Sequence, residues 1–184
     1  TKTVLGLFSA GPTRPRTRVE ASFASREAAN LESLIEQFLR RHTTAVTAAC
    51  FGVAGPVTNG ECRATNLPWR ISEKRIKERF GFSRVRLIND LTATANAIAL
   101  LSAEELQTLN RQEPQSRRIG LVAPGTGLGM ALVMGTGNDR TCIPSEGGHM
   151  DFAPTDREEQ ALWEYLHRRL GHVSVERVIS GPGL

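Results

Sequence analysis

The stretch Ala123-Pro124-Gly125-Thr126-Gly127-Leu128-Gly129 lies between two apolar runs, Ile119-Gly120-Leu121-Val122 and Met130-Ala131-Leu132-Val133-Met134, and this limits what the chain can build there. Glycines at alternate positions let the backbone enter left-handed conformations, aim several N–H groups at one anion and admit a phosphate close to the main chain. Such a turn is a candidate phosphate seat, and it equally has the composition of an ordinary glycine-rich hairpin turn. Its flanks exclude two other phosphate devices. A dinucleotide fingerprint opens a helix with Gly-x-Gly-x-x-Gly, whereas here the third glycine falls one residue early and apolar and β-branched residues follow. A P-loop needs Lys-Ser or Lys-Thr behind its glycines, and neither is present. The expected element is a hairpin whose turn can take a phosphate.

At 184 residues and 40% hydrophobic content, the chain can bury a core for one domain, or for one domain and part of a second. No apolar run approaches the roughly 20 residues of a membrane span, and the sequence does not open with a basic-then-apolar secretory pattern. A cytoplasmic location without a membrane partner is the expectation. Cys50, Cys62 and Cys142 are widely spaced and odd in number, the pattern of reduced thiols rather than a disulfide framework or a Cys-x-x-Cys metal site. The formal charge of +4 suits nucleotides as well as nucleic acid and does not choose between them.

The order of elements reads as mixed α/β. Thr3–Phe8 and Thr17–Phe23 form a hairpin, and the strand begins so abruptly that the N-terminal part of a longer protein is expected to be missing. Apolar positions from Ala28 to Leu39 have helical spacing, with Ser25 placed to cap a helix over 26–41. Ala45–Val53 is a nearly continuous apolar run, as expected of a strand buried on both faces by helices. A short polar strand follows Pro56. Ser72 then caps a basic helix ended by Gly81, whose lysines and arginines read as a solvated outer face rather than a nucleic-acid surface. Val85–Ile88 is a further strand, with Asn89-Asp90 at its carboxyl end and a helix over 91–100 behind it. Ser102-Ala103-Glu104-Glu105 and Thr155-Asp156-Arg157-Glu158 read as capping boxes. The second starts a helix expected to bury Ala161, Leu162, Tyr165 and Leu166 before Gly171. Residues 110–118 read as an exposed connection and 136–139 as a second hairpin turn. Ser174 starts a short helix containing Glu176, and turn residues close the chain.

Polar residues at the carboxyl ends of strands are where open α/β sheets bind ligands, and Asp90 stands at such an end, although capping the following helix explains it equally well. Asn89, Asp90, Glu146, His149 and Glu176 together combine acceptors and donors in the proportion that a polyhydroxylated molecule needs, because each sugar hydroxyl both donates and accepts. Against this, His149 fits structural packing, and either glutamate can be an ordinary surface acid. A zinc role for His149 lacks a second histidine at the right spacing and a cysteine cluster, so no metal site is expected from these residues.

Four motifs in order resemble the bacterial glucokinase family: Leu87-Ile88-Asn89-Asp90-Leu91-Thr92-Ala93, Pro124-Gly125-Thr126-Gly127-Leu128-Gly129, the run from Pro144 to Pro154 through Glu146-Gly147-Gly148-His149, and His172 to Leu184 through Glu176. The resemblance spans almost the whole chain. It implies the ribonuclease H-like, actin/hexokinase-type fold in two domains, with residues 1–100 as a small α/β domain lacking its first strand and residues 101–184 as the beginning of a large one. It implies ATP with Mg²⁺ as cofactors, glucose as the small-molecule partner, and room for a homodimer. It also implies that Asp90 is the general base for the sugar 6-hydroxyl, that Asn89, Glu146, His149 and Glu176 hold the sugar, and that Gly125, Thr126 and Gly127 meet the ATP phosphates. The family's opening Asp-x-Gly-Gly-Thr turn is absent apart from Thr1-Lys2, as is its C-terminal portion. The zinc motif of the related ROK sugar kinases is not visible after the Glu-Gly-Gly-His turn. A kinase for another hexose, or a sugar-binding or regulatory module without catalysis, stays open as an alternative. A transcriptional regulator would need a helix-turn-helix ahead of the kinase-like part, and these residues contain none.

Overall fold

The structure is a computed structural model describing residues 2–42, 44–110, 118–135 and 139–184. It falls into two units, Thr1–Ala93 with Ala97–Ser102, and Thr94–Asn96 with Ala103–Leu184.

In the first unit, β1 (Lys2–Ser9) and β2 (Arg16–Ala24) form the expected antiparallel hairpin, with Leu5 opposite Ala21. The helix α1 covers Leu31–Arg40, shorter than expected, and Ser25 does not cap it. Asn30 does, accepting from the Ser33 N–H at 2.9 Å, while Ser25 is fully buried with its hydroxyl 2.7 Å from that of Thr3. Extended backbone at Ala28 separates the two, and asparagine supplies the cap oxygen where helical backbone begins. The face Leu31, Leu34, Ile35 and Phe38 enters the core. There Phe38 meets Phe23 edge-on, and Trp69 donates to the Ala28 carbonyl at 3.2 Å.

Strands β3 (Ala48–Val53) and β7 (Arg84–Asn89) pair in parallel, Phe51 opposite Leu87. The expectation that β3 is buried on both faces does not hold, since Ala48, Cys50 and Gly52 are exposed and only Val53 is fully buried. The reason is an open strand edge. β1 pairs only with β2 and β3 only with β7 among the described residues, and an open groove of about 2100 Å³ runs between them, lined by β1, β3 and the inner face of α1.

The polar strand after Pro56 is a small antiparallel sheet of β4 (Val57–Thr58), β5 (Glu61–Arg63) and β6 (Arg70–Ser72), of which β6 was not expected. It leads into α2 (Glu73–Phe80), closed by Gly81 at φ 69°, a left-handed cap that glycine adopts without strain. Ser72 holds the cap position, but its side chain makes no cap bond. The basic face is not merely solvated. Arg75 reaches Glu32 of α1 at 2.8 Å and Arg79 reaches Glu36 at 2.7 Å, the same Glu36 that Arg40 of α1 contacts at 2.6 Å. Glu32 is buried, 6% exposed in its side chain, so Arg75→Ala strands a buried carboxylate. Arg75 itself is half exposed, and the expected loss is about 3 kcal/mol, at the low end for a broken buried pair, read as a shift in urea midpoint. A change under about 0.5 kcal/mol would show that water already serves Glu32.

Helix α3 (Asp90–Ile98) follows β7 directly. In place of the helix expected from the Ser102 box there is one 3-10 turn, Ala103–Glu105, and Leu106 and Leu109 are exposed, so no packed apolar face holds a longer helix down.

In the second unit, β8 (Arg118–Pro124) and β9 (Leu128–Met134) form the glycine hairpin, Pro124 opposite Leu128, and β10 (Thr141–Ser145) extends the antiparallel sheet on the other edge of β9. The central strand supplies the buried Leu128, Ala131 and Val133. Most of the expected turn at 136–139 and most of the connection at 110–118 lie outside the described residues. Helix α4 (Arg157–Leu170) is capped by Asp156, which accepts from Glu159 N–H at 2.8 Å. Thr155 donates to the Glu159 carboxylate, so the box closes one residue later than expected. The face expected to be buried is not. Ala161, Leu162 and Tyr165 are exposed and Leu166 is half-buried, because no layer covers α4 among the described residues. The short helix α5 (Val175–Val178) begins after Ser174 and contains Glu176.

Candidate active site

The first group of site residues stands where β7 becomes α3. Asn89 ends the strand and caps the helix, its side-chain oxygen accepting from Leu91 N–H at 3.0 Å and Thr92 N–H at 3.2 Å. Its amide nitrogen donates to the Asp90 carboxylate at 3.0 Å and to the Gly55 carbonyl at 3.3 Å. Asp90 also accepts from Leu91 N–H at 2.9 Å. Capping therefore belongs to Asn89, and Asp90, the first helical residue, is oriented by its neighbours. Burial pushes the Cys62 thiol up, and the nearby charge of Asp90 adds to the effect.

The second group lies wholly in the other unit. Glu146, Gly147, Gly148 and His149 make a tight 3-10 turn after β10. His149 Nε2 is 3.5 Å from the Glu146 carboxylate, and His149 Nδ1 is 4.0 Å from that of Glu176. The second Glu176 oxygen accepts from Leu128 N–H at 2.9 Å, at the foot of the glycine turn. A side-chain carbon at Gly127 would overlap the Glu176 carboxylate, and one at Gly148 would overlap the Leu128 carbonyl. Close packing, and not only a ligand, therefore requires these two glycines. Three residues proposed for one role are thus in one cluster, with Glu146 and His149 largely exposed and Glu176 only 26% exposed.

Within the turn, Gly125 N–H is occupied by the Gly127 carbonyl at 2.8 Å, and the Gly125 carbonyl accepts from Gly181 N–H at 2.7 Å. The N–H groups of Thr126 and Gly127 are those with no protein acceptor among the described residues, and the space beside Gly125 is open. The sequence alone did not single out Leu128 or Gly181 as holding this turn. The only signal was the glycine at 181, where a Cβ would come within 3.0 Å of the Gly125 carbonyl.

A family model for glucokinase matches residues 1–184. The chain belongs to the glucokinase family. It is 40% identical over 156 residues to the glucokinase of Escherichia coli, covering 84% of this chain and 49% of that protein, and 39% identical over the same length to that of Cronobacter sakazakii. The chain therefore spans about half the length of these curated relatives. A crystal structure of glucokinase from an Antarctic psychrotroph superposes with a TM-score of 0.84 at 29% identity, over all of this chain and 58% of the other. A glucokinase from Balamuthia mandrillaris, solved in complex with glucose, shares the fold with a TM-score of 0.67 at 21% identity. The expected actin/hexokinase-type fold is thus the fold of this member, represented here in part.

Proposed function

We propose that the protein to which this chain belongs transfers the γ-phosphoryl group of ATP to the 6-hydroxyl of glucose, with Asp90 drawing the proton from that hydroxyl and Asn89, Glu146, His149 and Glu176 holding the sugar. The observation that carries the reading is the single cluster in which Glu146, His149 and Glu176 meet the foot of the glycine turn. Carboxylates accept from sugar hydroxyls and the imidazole both donates and accepts, so the set matches a polyol. Thr126 and Gly127, with Gly125 beside them, offer N–H groups and open space to an anion, as a phosphate seat requires. ATP with Mg²⁺ supplies the electrophilic phosphorus and neutralises charge as it moves. The chain's own work is positional: Asn89 aims Asp90, and the sugar residues keep the hydroxyl in line.

No helix among the described residues is long and apolar enough to cross a membrane. A cytoplasmic location, with sugar, nucleotide and a second copy of the chain as partners, goes with the reading. We also propose that residues 1–100 are most of the small domain, completed by a strand from the family's remaining length that enters the groove between β1 and β3, and that residues 101–184 open the large domain. The unpaired edges of β1 and β3, and relatives about twice as long, support this.

Calorimetric titration of this chain with glucose tests the site. Saturable binding that Glu146→Ala removes, with circular dichroism unchanged, is the expected result; a folded wild-type chain that gives no heat would sink the sugar reading.

A further inference from the structure

Glu176 holds the glycine turn with one oxygen and faces His149 with the other. Its Leu128 bond is 2.9 Å and its His149 approach 4.0 Å. The segment bearing it is stitched at both ends. Phe152 N–H donates to the Val173 carbonyl and Val175 N–H to the Met150 carbonyl, both at 2.9 Å, with His172 bonded to Asp151 at 2.6 Å. At the far end, Gly181 N–H holds the Gly125 carbonyl at 2.7 Å. Residues 172–181 therefore bridge the His149 turn and the Gly125 turn, and the Glu176 carboxylate is the charged group at the middle of that bridge.

A hydroxyl donating to the His149-facing oxygen draws charge from the whole carboxylate, which is delocalised over both oxygens, and reorients it against a bond that tolerates little change in distance or angle. Gly127 leaves no slack, because a side chain there would occupy the carboxylate's position. We infer that Glu176 is a positioning residue that couples the two seats, so that a sugar on the His149 side sets the Gly125–Gly127 turn for phosphate, and phosphate on the turn in return strengthens sugar binding. The inference rests on the sugar-and-ATP reading and deepens it.

The test is a double-mutant cycle on this chain with glucose as the probe. Gly127→Ala lies on the phosphate side of the proposed site and pushes the carboxylate off Leu128. Glu176→Asp withdraws the carboxylate by one methylene and leaves its charge. Coupling through Glu176 predicts that each single change weakens glucose binding about tenfold and that the double variant is no worse than either alone, the signature of one shared interaction. The Leu128 amide resonance is expected to move with glucose in the wild type, at the midpoint of the binding heat, and to stay still in Glu176→Asp. Independent losses multiplying to about a hundredfold in folded variants, or unchanged glucose affinity in Gly127→Ala, would overturn the inference. So would glucose binding that leaves Leu128 unmoved, while the sugar reading would stand. A wild-type chain that binds no glucose would overturn both.

Discussion

Asp90→Asn is expected to leave the fold and most of the glucose affinity intact and to lower turnover by about 10²- to 10⁴-fold, the usual worth of a positioned base. The side chain accepts from the Leu91 N–H at 2.9 Å and from the Asn89 amide at 3.0 Å. An asparagine oxygen accepts from both with nearly the same geometry, and the helix cap is unaffected because Asn89 provides it. What the substitution removes is basicity. The measurement is glucose 6-phosphate formed over time by a protein of full family length carrying these residues, alongside glucose affinity and a thermal melt. A fall in turnover with affinity and melting temperature held is the expected pattern. Wild-type turnover would remove Asp90 from the proton transfer, and a fall in all three together would mark it as structural.

Filling the groove between β1 and β3 is expected to raise the melting temperature of this chain by about 5–10 °C. The groove is about 2100 Å³, room for an extended segment and its side chains, and both bordering strands offer an edge with no partner strand among the described residues. A strand there would join two two-stranded sheets into one of five. It would also cover the exposed positions Ala48 and Cys50. A peptide present at about a hundred times its dissociation constant stabilises by about 2.7 kcal/mol, and each kcal/mol is worth about 2–4 °C in a chain of this size. The probes are twelve-residue peptides tiled across the part of the Escherichia coli relative outside its 156-residue match. One peptide, or two overlapping ones, should give a saturable shift and slow alkylation of Cys50, an exposed thiol on the groove wall. If no peptide shifts the melt, or if the shift leaves Cys50 as reactive as before, the groove does not take a strand.

Much of the local structure was legible because its causes are local. The glycine turn reads as a hairpin from its apolar flanks, and β8 and β9 pair across it. Gly81 reads as a helix stop and adopts the left-handed cap. Asn89-Asp90 at the end of an apolar run reads as a strand terminus, and it is one. The misreadings have physical reasons as well. Ser25 and Asn30 are both good caps by composition, and the extended backbone at Ala28 decided between them. The capping box at Ser102 is followed by Leu106 and Leu109, which stay exposed, and a cap cannot sustain a helix that nothing holds. Helical periodicity in α4 correctly marked an apolar stripe, but a stripe is buried only where another layer meets it.

The sequence alone therefore determined most of the elements, their order and the chemical character of the site residues, because periodicity, turn chemistry and hydrogen-bonding capacity are properties of short stretches. The tertiary structure decided which residues meet. Glu176 and Leu128 are 48 residues apart, and nothing in either stretch announces the other. Their bond exists because three main-chain hydrogen bonds carry residues 173–181 back across the His149 and Gly125 turns. In the other unit, the apolar run at Ala48–Val53 has the composition of a strand covered on both sides, yet its cover depends on a neighbour at one edge. Burial is a property of the assembled layers, and so is the sharing of one carboxylate between a candidate sugar seat and a candidate phosphate seat.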